Sequence, residues 1–249
     1  MAAMSHSRGT ELRAVEKEQF YCEDFGNLRL DRGSAHRMSA REKIRERLAA
    51  ELGDAQLAQR LAEIIEVDAL CWRPPAIAPN KIQTIIGFTF GNRMAPNGNR
   101  EPGPVNQALA ALAARLSQEA DARLIAQWEV AEAAASLLPP EAVISIFPRR
   151  DERDEPVYLG TTAVLEDIAR RWPPESLGCI GVIAFSDHAF RCVETARRLG
   201  FDAYVPAGYA LPTEYDPQSG QAWCRNRLAY LLHDVMLRVS DRRAAILSG

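Results

Sequence analysis

Residues 179–208 set the tightest limit on how this chain can fold. Their sequence, CIGVIAFSDHAFRCVETARRLGFDAYVPAG, opens with a nearly continuous apolar run and passes through a short polar turn. An amphipathic helix follows, and Gly200 leads into a second apolar run. A strand with no polar alternation needs cover on both faces, which parallel sheets flanked by helices provide. Strand, helix and strand in succession therefore predict a parallel crossover unit.

The same alternation recurs upstream. QTIIGFTF within 81–90 is β-branched and aromatic-rich and reads as the first strand of the main domain. A polar loop at 91–103 follows it, then a helix from Pro104 with Val105, Leu109, Leu112, Ala113 and Leu116 inward. Further strands are expected at 123–128 and 142–147, and helices at 129–138, 161–172 and 222–239. The expectation is an α/β fold with a mostly parallel sheet flanked by helices. Ligands of such sheets sit beyond the carboxyl ends of the strands. That rule selects four segments: 91–103, 127–132, 149–162 and 186–191.

Residues 1–78 read as a helical extension or lid, and residues 79–249 as the α/β domain. A short helix is expected at 11–19 and irregular chain at 20–38. Ser39-Ala-Arg-Glu42 is a capping box opening a helix that Gly53 ends. Ile44, Leu48 and Leu52 form its apolar stripe. A second helix from Asp54 carries Leu57, Leu61, Ile64 and Ile65 on one face. The three prolines of RPPAIAPN, residues 73–80, read as the joint to the main domain.

Composition narrows the function classes. A net charge of −3 argues against bulk nucleic-acid binding. Five cysteines lack any CxxC pair, which suits reduced thiols and a cytoplasmic location. No run of about 18 apolar residues is present, so no membrane span is expected. The four histidines have no metal-ligand spacing, so no metal site is expected.

His188 and Arg191 carry the sharpest site signal. A histidine at a helix start is pushed toward its neutral form and can accept a proton. Arg191, one turn later, can grip phosphate or carboxylate, with Ser186 and Asp187 beside it. Both residues lie off the apolar stripe of their helix, and His233 and Asp234 of the closing helix read as solvent-facing. Gly91, Asn92 and Arg93 offer a loop whose backbone can approach a ligand closely. Glu129 or Glu132 can act as a base or hold a hydroxyl, Glu129 fitting an ordinary helix-dipole partner better.

The order of these motifs resembles the YdcF/SanA/ElyC-like family, the DUF218 domain, over roughly residues 81–240. IIGFTFGNRMAPNG occupies the place of the family's first glycine-containing loop, and Glu132-Ala133 that of its Glu-Ala pair. Gly160-Thr161-Thr162 sits at the Asn-Thr loop, and Ser186-Asp187-His188-Ala-Phe-Arg191-Cys192 matches the last helix start best. Gln127-Trp128 stands where the family usually has glycines. The resemblance implies a Rossmann-like fold and a polar site, linked in some members to S-adenosylmethionine. The expectation is an enzyme acting on a small anionic metabolite. His188 moves a proton, Glu132 positions a hydroxyl or water, and Arg191, Ser186, Asp187, Gly91, Asn92, Arg93, Thr161 and Thr162 bind the ligand. A non-catalytic nucleotide or S-adenosylmethionine module, and an interaction protein using the N-terminal helices, stay open.

Overall fold

A six-stranded, all-parallel sheet forms the centre of the computed structural model, its strands at 76–77, 202–206, 179–183, 84–87, 123–127 and 143–146 in that spatial order. The structure describes residues 39–148, 152 and 159–248. The helix expected at 11–19 and most of the charged loop before Gly160 lie outside the described residues. Strands β1 (Ala76–Ile77) and β2 (Thr84–Gly87) come first, then β3 (Arg93–Met94) and β4 (Arg100–Glu101). After them come β5 (Arg123–Gln127), β6 (Val143–Ile146), β7 (Cys179–Ile183) and β8 (Asp202–Pro206). The expected α/β class with a Rossmann-like parallel sheet is what the chain adopts.

Helices α3 (Gly103–Ala120) and α4 (Trp128–Ala134) cover one face, and α5 (Thr161–Arg171) and α6 (Ser186–Arg198) the other. Adjacent strand residues show why both faces need cover. Ile85 and Leu124 enter the cluster with Leu109, Leu116 and Val130. Their neighbours Ile86 and Ile125 enter the opposite cluster with Val164, Ile168 and Val193. Side chains alternate across a strand, so a two-sided core needs apolar residues at every position.

The N-terminal helices α1 (Ala40–Leu52) and α2 (Ala55–Ile65) start and stop where expected. Ser39 accepts from the Glu42 amide while Glu42 accepts from the Ser39 amide, and Gly53 ends α1 in the left-handed conformation. Their packing differs from expectation. No residue of α1 is buried, Leu52 and Leu57 are exposed, and α2 buries Ala58 and Ala62 instead.

Three further expectations are corrected. The proline-rich joint supplies β1, a two-residue edge strand parallel to β8, with the Val205 amide donating to the Pro75 carbonyl. An edge tolerates prolines because half of its backbone groups need no partner. The loop at 91–103 contains the antiparallel β3–β4 ladder. The closing helix α7 (Arg227–Ser248) starts later and runs farther than expected, after a short turn at Ala222–Cys224. No described helix is long and apolar enough to cross a membrane.

Candidate functional site

From β2 the chain winds through α3 to β5 and on to β6, then crosses back to β7 on the other side of β2. Loops leaving β2 and β7 therefore diverge, which in open α/β sheets creates a ligand crevice. Here aromatic rings fill the space. Phe90, after β2, stacks on Phe185, after β7, with centroids 3.9 Å apart. Tyr215 packs edge-on against both rings, and Tyr230 of α7 lies 4.7 Å from Phe90.

His188 and Arg191 are built into the protein interior beside this plug. His188 is 6% exposed, contrary to the expectation that neither residue contributes to packing. Arg191 donates from Nε to Asp234 of α7 at 2.5 Å and from Nη1 to Thr161 Oγ1 at 2.9 Å. Its Nη2 lies 3.1 Å from His188 Nδ1 and 3.4 Å from the Tyr230 hydroxyl. A guanidinium only donates, so Nδ1 bears a lone pair and Nε2 the hydrogen, 3.5 Å from Thr161 Oγ1. The Asp234 oxygen, 3.9 Å from Nδ1, is too distant for a hydrogen bond.

Asp234, expected at the surface, is fully buried and also accepts from Arg238 Nε at 2.7 Å. Arg238 in turn donates to the Cys71 carbonyl at 2.6 Å. Burial alone would raise the Asp234 carboxyl; the Arg191 and Arg238 charges outweigh it and hold it below the usual range. Burial first, then the Arg191 charge, pushes His188 down to about 4. The ring is thus neutral, with its basic nitrogen already engaged. Four of the five Arg191 donors thus face partners inside the protein, which leaves little of the guanidinium for the anion it was expected to grip.

Glu129, in the first turn of α4, is the buried acid that the sequence leaves in second place. It is 5% exposed, and its Oε2 is buried with no hydrogen-bond partner among the described residues. Glu132, expected to position a hydroxyl, is exposed on the outer face of the same helix. Burial pushes the Glu129 carboxyl up to about 7, against hydrogen bonds from its own amide, Thr89 and Asn92 and the Arg100 charge. A cavity of about 30 Å³ lies beside it, lined by Thr89, Asn92, Arg100, Gln127, Trp128 and Gln221. Gln127 braces the wall, accepting from the Thr89 amide at 2.9 Å and donating to the Leu159 carbonyl at 3.3 Å.

The remaining expected residues scatter around this acid. Asn92 lines the cavity and reaches Glu129. Arg93 forms a two-pronged pair with Asp216, at 2.8 and 2.9 Å. Asp187 takes Arg227 at 2.9 and 3.1 Å and the Tyr215 hydroxyl at 2.8 Å. The Ser186 amide donates to the Pro212 carbonyl, Thr161 is buried with Arg191, and Thr162 is exposed. Gly91 has a φ of +70°, and a Cβ there would sit 2.4 Å from Ser219 Oγ. Its bare face thus admits the chain's own loop. It does not form the glycine cradle that S-adenosylmethionine would need, so the residues present do not fit that cofactor. No protein-family model, curated protein or solved structure matches the chain.

Proposed function

We propose that this chain is an enzyme acting on a small anionic metabolite, with Glu129 moving a proton in hydrolysis or group transfer. The ligand class is a phosphorylated, nucleotide-like or carboxylate compound. One observation carries the reading: a nearly fully buried carboxyl, raised to about 7 and with one oxygen unpartnered among the described residues, lines a small polar cavity beside Arg100. Burying such a group opposes folding, and strongly shifted acids in clefts mark functional sites. A neutral acid next to a guanidinium admits an anion without repulsion. Its proton affinity near the working pH is what general acid–base catalysis requires. The motif order resembling the DUF218 domain favours an enzyme of this fold with a polar site, although it places the acid at Glu132 and not at Glu129.

Thermal shift against orthophosphate, nucleoside monophosphates, sugar phosphates and small carboxylates tests it. A ligand at a hundredfold excess over its dissociation constant adds about 2.7 kcal/mol. Arg100→Ala is expected to abolish that shift. Glu129→Gln is expected to retain binding and lose any turnover of the ligand found. Saturable binding with no product marks a binding module instead, and no stabilisation by any of these anions removes the proposal.

A further inference from the structure

Helix α7 carries its side chains inside out. Its buried residues are Tyr230, Asp234 and Arg238, a polar and charged set. On the other side Leu228, Leu232, Met236, Val239, Ile246 and Leu247 are each 45–72% exposed. A surface helix ordinarily turns its apolar stripe inward and its charges to water. Half of the large apolar side chains exposed among the described residues lie on this one helix. Scattered apolar residues need no explanation, but a continuous apolar stripe marks a contact surface.

Spacing identifies the shape of the partner. From Leu228 the stripe runs through Leu232, Met236, Val239 and Arg243 to Ile246, in steps of three or four residues. Leu232, Val239 and Ile246 recur every seven residues. That period keeps one face of a helix against a second helix along its length. With 22 residues, α7 offers such a face for about 33 Å. Every residue from Arg243 to Ser248 is exposed. These last turns find little cover in the described chain, although helices in proteins gain most of their stability from packing.

Charge and area narrow the partner further. Arg227, Arg238 and Arg242 of α7 pair with Asp187, Asp234 and Asp68 of the same chain. A face built to meet anionic lipid would instead hold its basic residues ready for the lipid. At about 100 Å² for each fully exposed side chain, the stripe offers roughly 400 Å² of apolar surface per copy. Two such stripes face to face, with the polar rim that interfaces carry, bury about 1,200 Å², enough for a specific dimer.

We propose that the α7 stripe pairs with the same stripe of a second copy, making the protein a two-fold symmetric dimer. One surface is then its own complement, and each helix covers the other. The contact shares no residue with the cavity beside Glu129 and is independent of that residue's chemistry.

Sedimentation equilibrium of the full-length protein, from about 1 to about 100 μM, spans the range in which so small an interface dissociates. A mass of twice 27.6 kDa is expected at the upper end. Leu232→Glu combined with Val239→Glu sets like charges against each other in the seam and is expected to weaken the dimer about tenfold or more. Both side chains are exposed within one chain, so the circular dichroism of the variant is expected to match that of the unmutated protein. Hydrogen exchange of the unmutated protein gives a reading that no variant's folding affects. Amides of residues 239–248 are expected to gain protection as concentration rises. A single-chain mass throughout, exchange there that ignores concentration, or a dimer that survives the double substitution overturns the proposal. So does a single-chain mass with α7-dependent co-sedimentation on phosphatidylcholine–phosphatidylglycerol vesicles, which assigns the stripe to a lipid surface.

Discussion

Glu129 and His188 are buried titratable side chains whose shifts run in opposite directions. Glu129 moves from 4.5 up to about 7, so over that interval the folded chain holds a proton the unfolded chain has lost. Stability from this residue falls as pH rises. His188 moves from 6.5 down to about 4, so the unfolded chain holds the extra proton. Its contribution is fully present above 6.5 and is lost as pH falls toward 4. Each effect amounts to about 3 kcal/mol at full extent, and the two slopes oppose each other where the windows overlap. Urea unfolding of the unmutated protein is expected to vary little over that overlap. Glu129→Gln is expected to gain stability with rising pH, and His188→Gln to lose it. Parallel pH profiles for the two variants would contradict this assignment.

At the scale of elements, boundaries were legible in the sequence because the groups that set them are local. Ser39 and Glu42 cap one helix, Gly53 ends it, and the runs at β2 and β7 are apolar apart from Thr84. The site was less legible because it depends on which way each helix turns. Glu129 and Glu132 both begin α4, and a helix of seven residues has too little periodicity to tell its buried acid from its exposed one. A signal was present on α7 but unread. Tyr230, Asp234 and Arg238 recur every four residues on one face, and all three are buried. They dock α7 onto α6 through Arg191 and onto the end of the N-terminal helical segment through Cys71. Asp234→Ala strands two buried guanidinium groups and is expected to cost about 3–5 kcal/mol by urea unfolding. A loss below about 1 kcal/mol would mean that water replaces the carboxylate.

Across the whole molecule, the sheet order brings together loops far apart in the chain, and the site is displaced within that plan. Aromatic rings fill the gap between the β2 and β7 ends, while the small polar cavity lies over the ends of β2, β5 and β6. Topology names an edge of the sheet, and side-chain volume then decides over which strands open space is left.

The edge strand β1 carries a further consequence, for the order in which the molecule assembles. Ala76 and Ile77 pair with Val205 and Pro206, so the strand nearest the N-terminal helices closes on the strand formed last. Such a pairing spans most of the chain, and the entropy of closing a long loop delays it. Trp72 lies just before β1, its ring 4.2 Å from the Arg238 guanidinium. In refolding experiments on a variant with Trp72 as its sole tryptophan, its fluorescence is expected to recover in the slowest phase. Recovery with the earliest phase would mean that the N-terminal segment docks before the sheet is complete. During synthesis, a ribosome that has not yet released residue 206 therefore holds a chain whose first strand has nowhere to go.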